Sequence, residues 1–348
     1  MREPFAHAAR VSSASRRILL VDSDPDHSEE LSRHLRKQGF IVFAAANAAQ
    51  AVTLFGAARP ALVLTNVALP DGDGVTLLGE LREMDRLVLV MLMTGNGDAE
   101  SILRALRAGA IDFLIKPVDL GELVNSIERT LGHRFQETSA DYSPHLIAER
   151  KRFAFAARDA MPTPIINQVT AQLPLLVDDA DVVNIKVGVE EMILNAIEYG
   201  CLRICGQAKR AAVQLGSYGE LYRERLETSE LGTAGIVVHY DLNERRLRVQ
   251  IADPGDGFDW RTVATVSPEH LRADMGRGIL LARMAFDEVA YSDAGNRVTL
   301  VKHRSRPYDH VAADGREGAE RVTGGVGSSS PPRPAGTLAT PRLAVPRL

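Results

Sequence analysis

Short apolar runs alternate with amphipathic stretches of helical periodicity over the first third of the chain. Each apolar run predicts a strand, and each stretch with apolar positions three and four residues apart predicts a helix. The predicted strands are Ile18–Val21, Ile41–Ala45, Leu62–Thr65, Leu87–Met93 and Ile111–Ile115. The predicted helices are Asp26–Gln38, Ala48–Ala58, Val75–Glu83, Ala99–Ala108 and Leu120–Leu131. Because the strands are apolar on both faces, they indicate a parallel sheet covered by helices on two sides, a doubly wound (βα)5 α/β domain.

The second half of the chain has a different order of elements. Its predicted strands are Lys151–Ala156, Gly235–Asp241, Arg246–Ala252, Glu288–Ser292 and Asn296–Lys302. Its predicted helices are Pro164–Val177, Asp181–Tyr199 and Gly278–Phe286. Helices paired with an antiparallel sheet predict an α+β sandwich. The intervening segment Arg203–Thr233 is charged and partly helical, and the sequence assigns it no role.

Changes in composition set the expected domain boundaries. We expect a disordered N-terminus over 1–16, an α/β domain over 17–132, a polar linker over 133–150 and an α+β domain over 151–304. Residues 305–348 are rich in Gly, Ser, Pro and Arg. Such a segment cannot bury enough apolar surface to offset the entropy lost on ordering, so a disordered tail is predicted.

The composition narrows the class of protein. Hydrophobic residues make up 45% of the chain and charged residues 25%, which is ordinary for a globular protein. A net charge of −4 gives no electrostatic reason to expect nucleic acid or an anionic membrane as a partner. The two cysteines, Cys201 and Cys205, are too few for a disulfide framework or a zinc site. Without a signal peptide or an apolar run of about 18 residues, a cytoplasmic location is expected.

The third predicted strand ends on an amide where phosphoryl chemistry would need a carboxylate. Asn66 closes this apolar run and precedes the turn Pro70–Gly74, which places it at the carboxyl edge of the sheet, where α/β proteins bind ligands. A carboxamide oxygen is uncharged and poorly nucleophilic, so it cannot attack a phosphoryl group. The first domain is therefore predicted to sense or dock without being phosphorylated.

Four separated positions connect this domain to a known family. An acidic loop containing Asp22 follows the first strand, Asn66 and Thr94 are 28 residues apart, and Thr94 and Lys116 are 22 residues apart. With these spacings, residues 18–131 resemble the receiver domain of two-component response regulators. The resemblance implies that Asn66 stands at the phospho-acceptor position, Thr94 at the switch hydroxyl and Lys116 at the family's lysine.

The acidic loop departs from the family pattern. The family's acidic pair corresponds here to Asp22 and Ser23, with Asp24 one place late. Ser23 and Asn66 together remove the two carboxylates expected to bind Mg²⁺, which usually relies on one or two such ligands. Asp71 and Asp73 belong to a solvated turn. The resemblance with these departures predicts a pseudo-receiver.

The same residues also have purely structural interpretations. Lys116 could simply pair with Asp22, and Thr94 could cap the helix that begins near Asp98. As a scaffold, the domain is expected to offer a docking face near Val88–Met91 and Ala110–Leu114 to a partner or to a second copy of the chain.

Three motifs follow one another in the second domain. The first is the helical segment Glu190–Gly200, in which Glu191 and Asn195 are four residues apart and share a face. The second, Asp253–Phe258, follows an apolar strand, and the third, Met275–Leu281, opens a helix with glycines. Each motif alone is weak, but three in this order indicate a nucleotide site.

Each motif has a chemical reason. An amide oxygen such as that of Asn195 can help to hold Mg²⁺ against a triphosphate, because Mg²⁺ takes few protein ligands. A carboxylate at a strand end, Asp253, can accept a hydrogen bond from the adenine amino group. Glycines permit close approach of the backbone to the base and expose helix N–H groups to phosphates. These glycines are Gly255, Gly257, Gly276 and Gly278.

Residues of about 150–304 resemble the GHKL ATPase fold and, within it, the anti-sigma-factor serine kinases of partner-switching systems. The resemblance implies ATP and Mg²⁺, with Asn195 as the metal ligand, Asp253 as the adenine contact and Glu191 as the general base for a substrate serine. It also implies that Arg277 and the glycines of the second and third motifs belong to the nucleotide loops. Tyr199 stands where that family commonly has histidine.

The leading functional hypothesis is an ATP-dependent serine/threonine protein kinase of the anti-sigma type, controlled by the pseudo-receiver. The partner expected is a regulatory protein, an antagonist or a sigma factor, and a second copy of the chain is a further candidate. The first alternative is a catalytically idle, ATP-dependent binding module. The second is a hybrid histidine kinase that uses His145, but only 46 residues separate His145 from Glu191, which leaves little room for a dimerisation hairpin.

Overall fold

The structure is a computed structural model that describes residues 16–95, 99–135, 143, 145–159, 162–261 and 274–305. The two predicted disordered ends lie outside these residues, apart from Arg16 and Ser305. No helix among the described residues is long and apolar enough to cross a membrane.

The first domain is the predicted (βα)5 fold. Its parallel sheet has the order β2-β1-β3-β6-β7. The strands are β1 (Arg17–Val21), β2 (Ile41–Ala45), β3 (Leu62–Asn66), β6 (Val90–Thr94) and β7 (Asp112–Ile115), with a short hairpin formed by β4 (Ala68–Leu69) and β5 (Gly72–Asp73). The helices are α1 (Pro25–Lys37), α2 (Ala48–Ala58), α3 (Gly74–Met84), α4 (Ala99–Arg107) and α5 (Leu120–Phe135).

The prediction of a docking face on this domain is wrong. Val88–Met91 and Ala110–Leu114 are almost entirely buried, because they enter or form strands β6 and β7 and their apolar side chains belong to the core. The polar exception is Asp112, which is only 1% exposed because the second domain of the same chain covers it.

The second domain is the predicted α+β sandwich. Its antiparallel sheet has the order β11-β12-β10-β9-β8. The strands are β8 (Glu149–Ala156), β9 (Gly235–Leu242), β10 (Arg246–Ala252), β11 (Glu288–Tyr291) and β12 (Arg297–His303). The helices are α6 (Pro162–Thr170), α7 (Asp179–Asn195), α8 (Gly206–Gln214), α9 (Tyr218–Thr228) and α10 (Asp274–Ala285).

Alternation along the strands explains why helices cover one face of this sheet. In β9, Ile236, Val238 and Tyr240 are buried, whereas His239 between them is exposed, as expected for a half-buried strand. The buried side chains pack with those of α6, α7 and α10 into one core. The opposite face carries the polar positions.

Helix ends differ from the predicted ones. The helix predicted over Pro164–Val177 stops at Thr170 and gives way to a 3₁₀ turn at Leu173–Leu175. The helix predicted to reach Tyr199 changes after Asn195 into a π-helical segment, Ala196–Cys201.

The two domains pack against each other within one compact unit. Helix α5 continues to Phe135 and contacts α7, and α4 contacts α10. Four residues of the second domain, Val183 and Val187 on α7 and Leu280 and Leu281 on α10, belong to the apolar core of the first domain. Since β8 begins at Glu149, the segment between the domains is shorter than predicted and spans 136–148.

Candidate functional site

The receiver pocket is closed by a network around Asp22. Asn66 Nδ2 donates to Asp22 Oδ1 at 2.7 Å, and Lys116 Nζ donates to Asp22 Oδ2 at 2.9 Å. His27 Nδ1 lies 2.5 Å from the same Oδ2 and 3.2 Å from Lys116 Nζ. Burial raises the pKa of Asp22, but hydrogen bonds from Lys116, the Asp24 amide and His27 outweigh burial and hold it below the usual value. The pairing of Lys116 with Asp22 is confirmed.

The carboxylates that could replace the missing metal ligands have other partners. Asp24 accepts from the amides of Asp26 and His27 as the N-cap of α1, and Asp71 accepts from two amides at the start of α2. Asp73 caps α3 and pairs with Arg104 at 2.7 Å. Ser23 is exposed and Thr94 is buried, and the predicted cap near Asp98 lies outside the described residues.

His27 is the residue of this pocket that sequence reasoning missed. Asp24 begins α1 at Pro25, and the first helical turn then carries His27 back over Asp22. An acidic loop followed by a capped helix with histidine in its first turn was the available signal.

Helix α7 brings the first and third motifs of the second domain together. Glu191 and Asn195 lie one turn apart near its C-terminal end. A Cβ atom added at Gly278 on α10 would collide with the Glu191 carboxylate. The glycine therefore permits the close packing of α7 on α10, and it places Glu191 beside the predicted nucleotide loop.

The second motif adjoins the C-terminal end of the first. Asp253 Oδ1 accepts from the Gly255 amide at 2.9 Å, and a Cβ atom at Gly200 would collide with the Asp253 carboxylate. Burial raises the pKa of Asp253 to about 6, and its hydrogen bonds to backbone amides only partly offset this. Asp253 is thus a partly buried acceptor within the region bounded by the π-helical segment.

The glycines of the second motif allow close contacts between segments of the backbone. A side chain at Gly255 would strike the Gly200 carbonyl, and one at Gly257 would strike the Ala294 carbonyl. Gly257 also has a φ of +79°, which L-residues rarely adopt. Close backbone packing therefore accounts for both glycines without a ligand.

Asn195 fits a magnesium ligand by the chemistry of its side chain. It is half-buried, and no hydrogen bond to its amide is present among the described residues. Those residues also contain no group of three or more His, Cys, Asp or Glu side chains suited to a metal. A single amide oxygen is compatible with Mg²⁺, which takes most of its ligands from phosphates and water.

Arg277 points away from the second domain. Its guanidinium donates to both carboxylate oxygens of Asp112, with Nε 2.9 Å from Oδ1, and it also pairs with Glu122. Gly276 is half-buried at the start of the same helix, and residues 262–273 lie outside the described part of the chain. The predicted nucleotide residue Arg277 is therefore held by the first domain.

The first domain also supplies an arginine to Glu191, which sequence reasoning missed. Arg129 Nη1 on α5 lies 2.6 Å from Glu191 Oε1, and Arg129 Nε lies 3.5 Å from Glu190 Oε2. Burial raises the pKa of Glu191, and the charge of Arg129 offsets part of this rise. Since 62 residues separate Arg129 from Glu191 in the sequence, no local pattern could have joined them.

Comparison with known proteins identifies both domains. Residues 18–128 match the family model of the response regulator receiver domain, and residues 156–302 match the model of the histidine kinase-like ATPase domain. The first domain is therefore a response regulator receiver domain, and a histidine kinase-like ATPase domain follows it.

The curated relatives match part of the chain. The regulatory protein AtoC of Escherichia coli is 38% identical over 119 residues, which are 34% of this chain and 26% of AtoC. The transcriptional regulatory protein PrrA of Mycobacterium tuberculosis is 36% identical over 120 residues, 34% of this chain and 52% of PrrA. The chain thus spans between about a quarter and about half of the length of these relatives. Among solved structures, a CheY-like receiver protein from Methanospirillum hungatei is 29% identical over 33% of this chain and 92% of that chain, with a TM-score of 0.32.

Proposed function

We propose that the protein is an ATP-dependent serine/threonine protein kinase of the anti-sigma type whose receiver domain acts without phosphorylation. The observation that carries the kinase assignment is the arrangement of Glu191 and Asn195 on one face of α7, with Gly278 packed against the first and Asp253 near the end of the same helix. The expected substrate is a small regulatory protein that antagonises a sigma factor or its inhibitor.

The reaction assigns one task to each side chain. The substrate hydroxyl oxygen bonds to the γ-phosphorus of ATP, the bond from that phosphorus to the β,γ-bridging oxygen breaks, and ADP leaves. Glu191 accepts the hydroxyl proton, and its raised pKa makes its carboxylate a stronger base than an exposed one. Asn195 would hold Mg²⁺, which supplies charge neutralisation at the phosphates, and Asp253 would accept from the adenine amino group.

Labelling with Mg-ATP tests this assignment. The full chain incubated with radiolabelled Mg-ATP and candidate antagonists should produce acid-stable phosphoserine or phosphothreonine. Glu191→Gln and Asn195→Ala should abolish the label, whereas Glu224→Gln, a change of the same kind on the exposed side of α9, should not. ATP binding without transfer to any partner would instead favour the catalytically idle binding module.

The closed receiver pocket supports the pseudo-receiver assignment. Asn66 cannot accept a phosphoryl group, and His27 and Lys116 occupy the Asp22 oxygen that a metal would need. Acetyl phosphate should therefore leave the receiver unlabelled. Asn66→Asp alone should restore little labelling, because the His27 and Lys116 contacts remain, and efficient labelling of the unmodified chain would contradict the assignment.

A histidine kinase is less compatible with this chain. Only the 13 residues 136–148 separate α5 from β8, and the described ones among them are not helical. A hairpin of two dimerisation helices needs a much longer segment, since an isolated helix of about 12–15 residues is itself marginal. His145 is exposed in this segment, and acid-labile phosphate on it would favour this alternative.

A further inference from the structure

Helix α5 of the receiver covers the acidic face of α7. Arg129 contacts Glu191 at 2.6 Å and Glu190 at 3.5 Å, and His133 Nε2 lies 2.8 Å from Glu190 Oε2. Lys186 Nζ donates to the His133 carbonyl near the end of α5 at 3.3 Å. The Glu191 side chain is only 15% exposed as a result. The proposed base is thus covered and already accepts a hydrogen bond.

In a second group of ion pairs, the second domain supplies the arginine and the receiver domain supplies the carboxylates. Arg277 of α10 inserts between Asp112 on β7 and Glu122 on α5, and it also contacts the Ser126 hydroxyl at 3.3 Å. Burial raises the pKa of Asp112, but Arg277, with smaller contributions from Arg129 and Ser126, outweighs burial and holds the pKa below the usual value. In this way each domain supplies one arginine to carboxylates of the other.

Because each domain supplies an arginine to carboxylates of the other, the ion pairs form only when the two domains are correctly aligned. If the receiver domain moved away from α7 and α10, both arginines would lose their partners in the other domain, and an unpaired buried charge is strongly unfavourable. In a fully separated arrangement the same charges would be hydrated, so full separation costs less per charge than a partial opening that leaves the charges buried without partners. Apolar contacts of Val183, Val187, Leu280 and Leu281 with the receiver core add to the closed arrangement.

We propose that this arrangement is a closed state in which Arg129 is the receiver's inhibitory contact: it holds Glu191, while Asp112 holds Arg277 out of the nucleotide loop. A substrate hydroxyl must come within hydrogen-bond distance of the base, and α5 occupies that approach. Separation of the receiver domain from α7 and α10 frees both residues in one step. The assignment of Glu191 as the base rests on the function proposed above, whereas the closed contact between the domains stands on the geometry.

Hydrogen exchange on the full chain tests the contact without relying on activity. Arg129→Ala should accelerate exchange in both α5 and α7 by about tenfold relative to the unmodified chain, with Arg129→Lys intermediate. The matched control is Arg33→Ala, which removes an arginine from an exposed pair with Glu29 on the receiver surface and should change neither helix. Circular dichroism confirms that each variant is folded. Unchanged exchange in α5 and α7 of a folded Arg129→Ala protein would overturn the proposal.

Two further measurements separate this proposal from the proposed function. Calorimetry of ATP binding tests the nucleotide site, and transfer from Mg-ATP to a partner tests the kinase. Arg129→Ala should raise phosphate transfer about 5- to 150-fold, the range of ordinary coupling between sites. A fall in transfer would show that Arg129 assists the reaction and would overturn the inhibitory role. If no variant binds ATP, the proposed function fails, and the exchange data still decide whether Arg129 closes the domains.

Discussion

Asp253 illustrates how a single side chain can combine fold and ligand chemistry. Its carboxylate is placed at the end of β10, where it bonds to the Gly255 amide and packs against Gly200. Burial removes water from the charged carboxylate, and the hydrogen bonds from backbone amides offset only part of this cost. The pKa of Asp253 is therefore raised to about 6. An acceptor with this pKa changes its charge within the range in which proteins are ordinarily handled.

We expect nucleotide affinity to fall as the pH is lowered through 6. In the proposed site an adenine amino group donates to the ionised carboxylate, and below pH 6 that carboxylate is protonated before the nucleotide binds. By linkage, the affinity of a fluorescent ADP analogue should be about tenfold lower at pH 5 than at pH 7. Binding titrations at several pH values measure this.

The nucleotide phosphates titrate in the same range, so the comparison needs Asp253→Asn. The carboxamide of this variant does not ionise, and its residual pH dependence belongs to the phosphates. The affinity of the unmodified protein divided by the affinity of Asp253→Asn should therefore decrease below pH 6. A constant ratio between pH 5 and pH 7 would show that Asp253 does not contact the adenine amino group through its charge.

At this scale the sequence predicts which residues of one motif lie together and misses the contacts between motifs. Four-residue spacing predicts that Glu191 and Asn195 share a face, and both lie on α7 as expected. Arg129 has no such signal, because its partners lie in another domain. The glycines are mixed cases: their motif is visible in sequence, but only the structure shows that Gly257 is required by the Ala294 carbonyl.

Helices α8 and α9, to which the sequence assigned no role, support the end of α7. The Glu198 carboxylate lies in the π-helical segment after Asn195 and is 3% exposed. Lys209 Nζ of α8 donates to Glu198 Oε2 at 2.7 Å, and Tyr218 Oη of α9 donates to Oε1 at 2.6 Å. Each helix thus satisfies one oxygen of a buried carboxylate three residues after the proposed metal ligand.

We expect Lys209→Met to destabilise the protein by about 3 kcal/mol. The substitution keeps an apolar stem of similar length, but it leaves a buried carboxylate without its cation, which is the costly way to break an ion pair. Urea denaturation measures the free energy of unfolding. Arg210→Met is the control, since the described part of the chain shows no ion pair at Arg210 and little change is expected there. A loss below about 0.5 kcal/mol for Lys209→Met would show that Glu198 is adequately satisfied by Tyr218.

The sequence predicts the existence of elements better than their ends. Strands β2 and β10 and helix α2 match their predicted bounds, because strong periodicity or flanking turn residues define them. Helix α5 continues to Phe135, beyond its predicted end at Leu131, and its last turn includes His133, which binds Glu190 of the other domain. Tertiary contacts of this kind extend a helix without leaving a local signal.

The whole molecule is not two independent cores joined by a linker. Leu280 and Leu281 lie on a helix of the ATPase domain, yet they are buried in the apolar cluster of the receiver. The sequence predicts a polar linker, but such a segment shows only where the chain passes from one domain to the next and not whether the domains pack together. Apolar residues of α10 could be assigned to a core from their spacing, but not to a particular domain.

This shared core leads us to expect that the two domains unfold together. Leu281→Ala should remove about 2–5 kcal/mol of stability, as is usual for a buried leucine, and scanning calorimetry should show one transition that moves to lower temperature. Leu215→Ala is the matched control in the same domain, because Leu215 is 80% exposed and its truncation should change stability by less than about 0.5 kcal/mol. Two separate transitions, of which Leu281→Ala moved only one, would contradict the shared core. A single shifted transition would mean that a change in the ATPase domain is transmitted to the receiver through the contacts between the two domains, which is the mechanical condition for either domain to control the other.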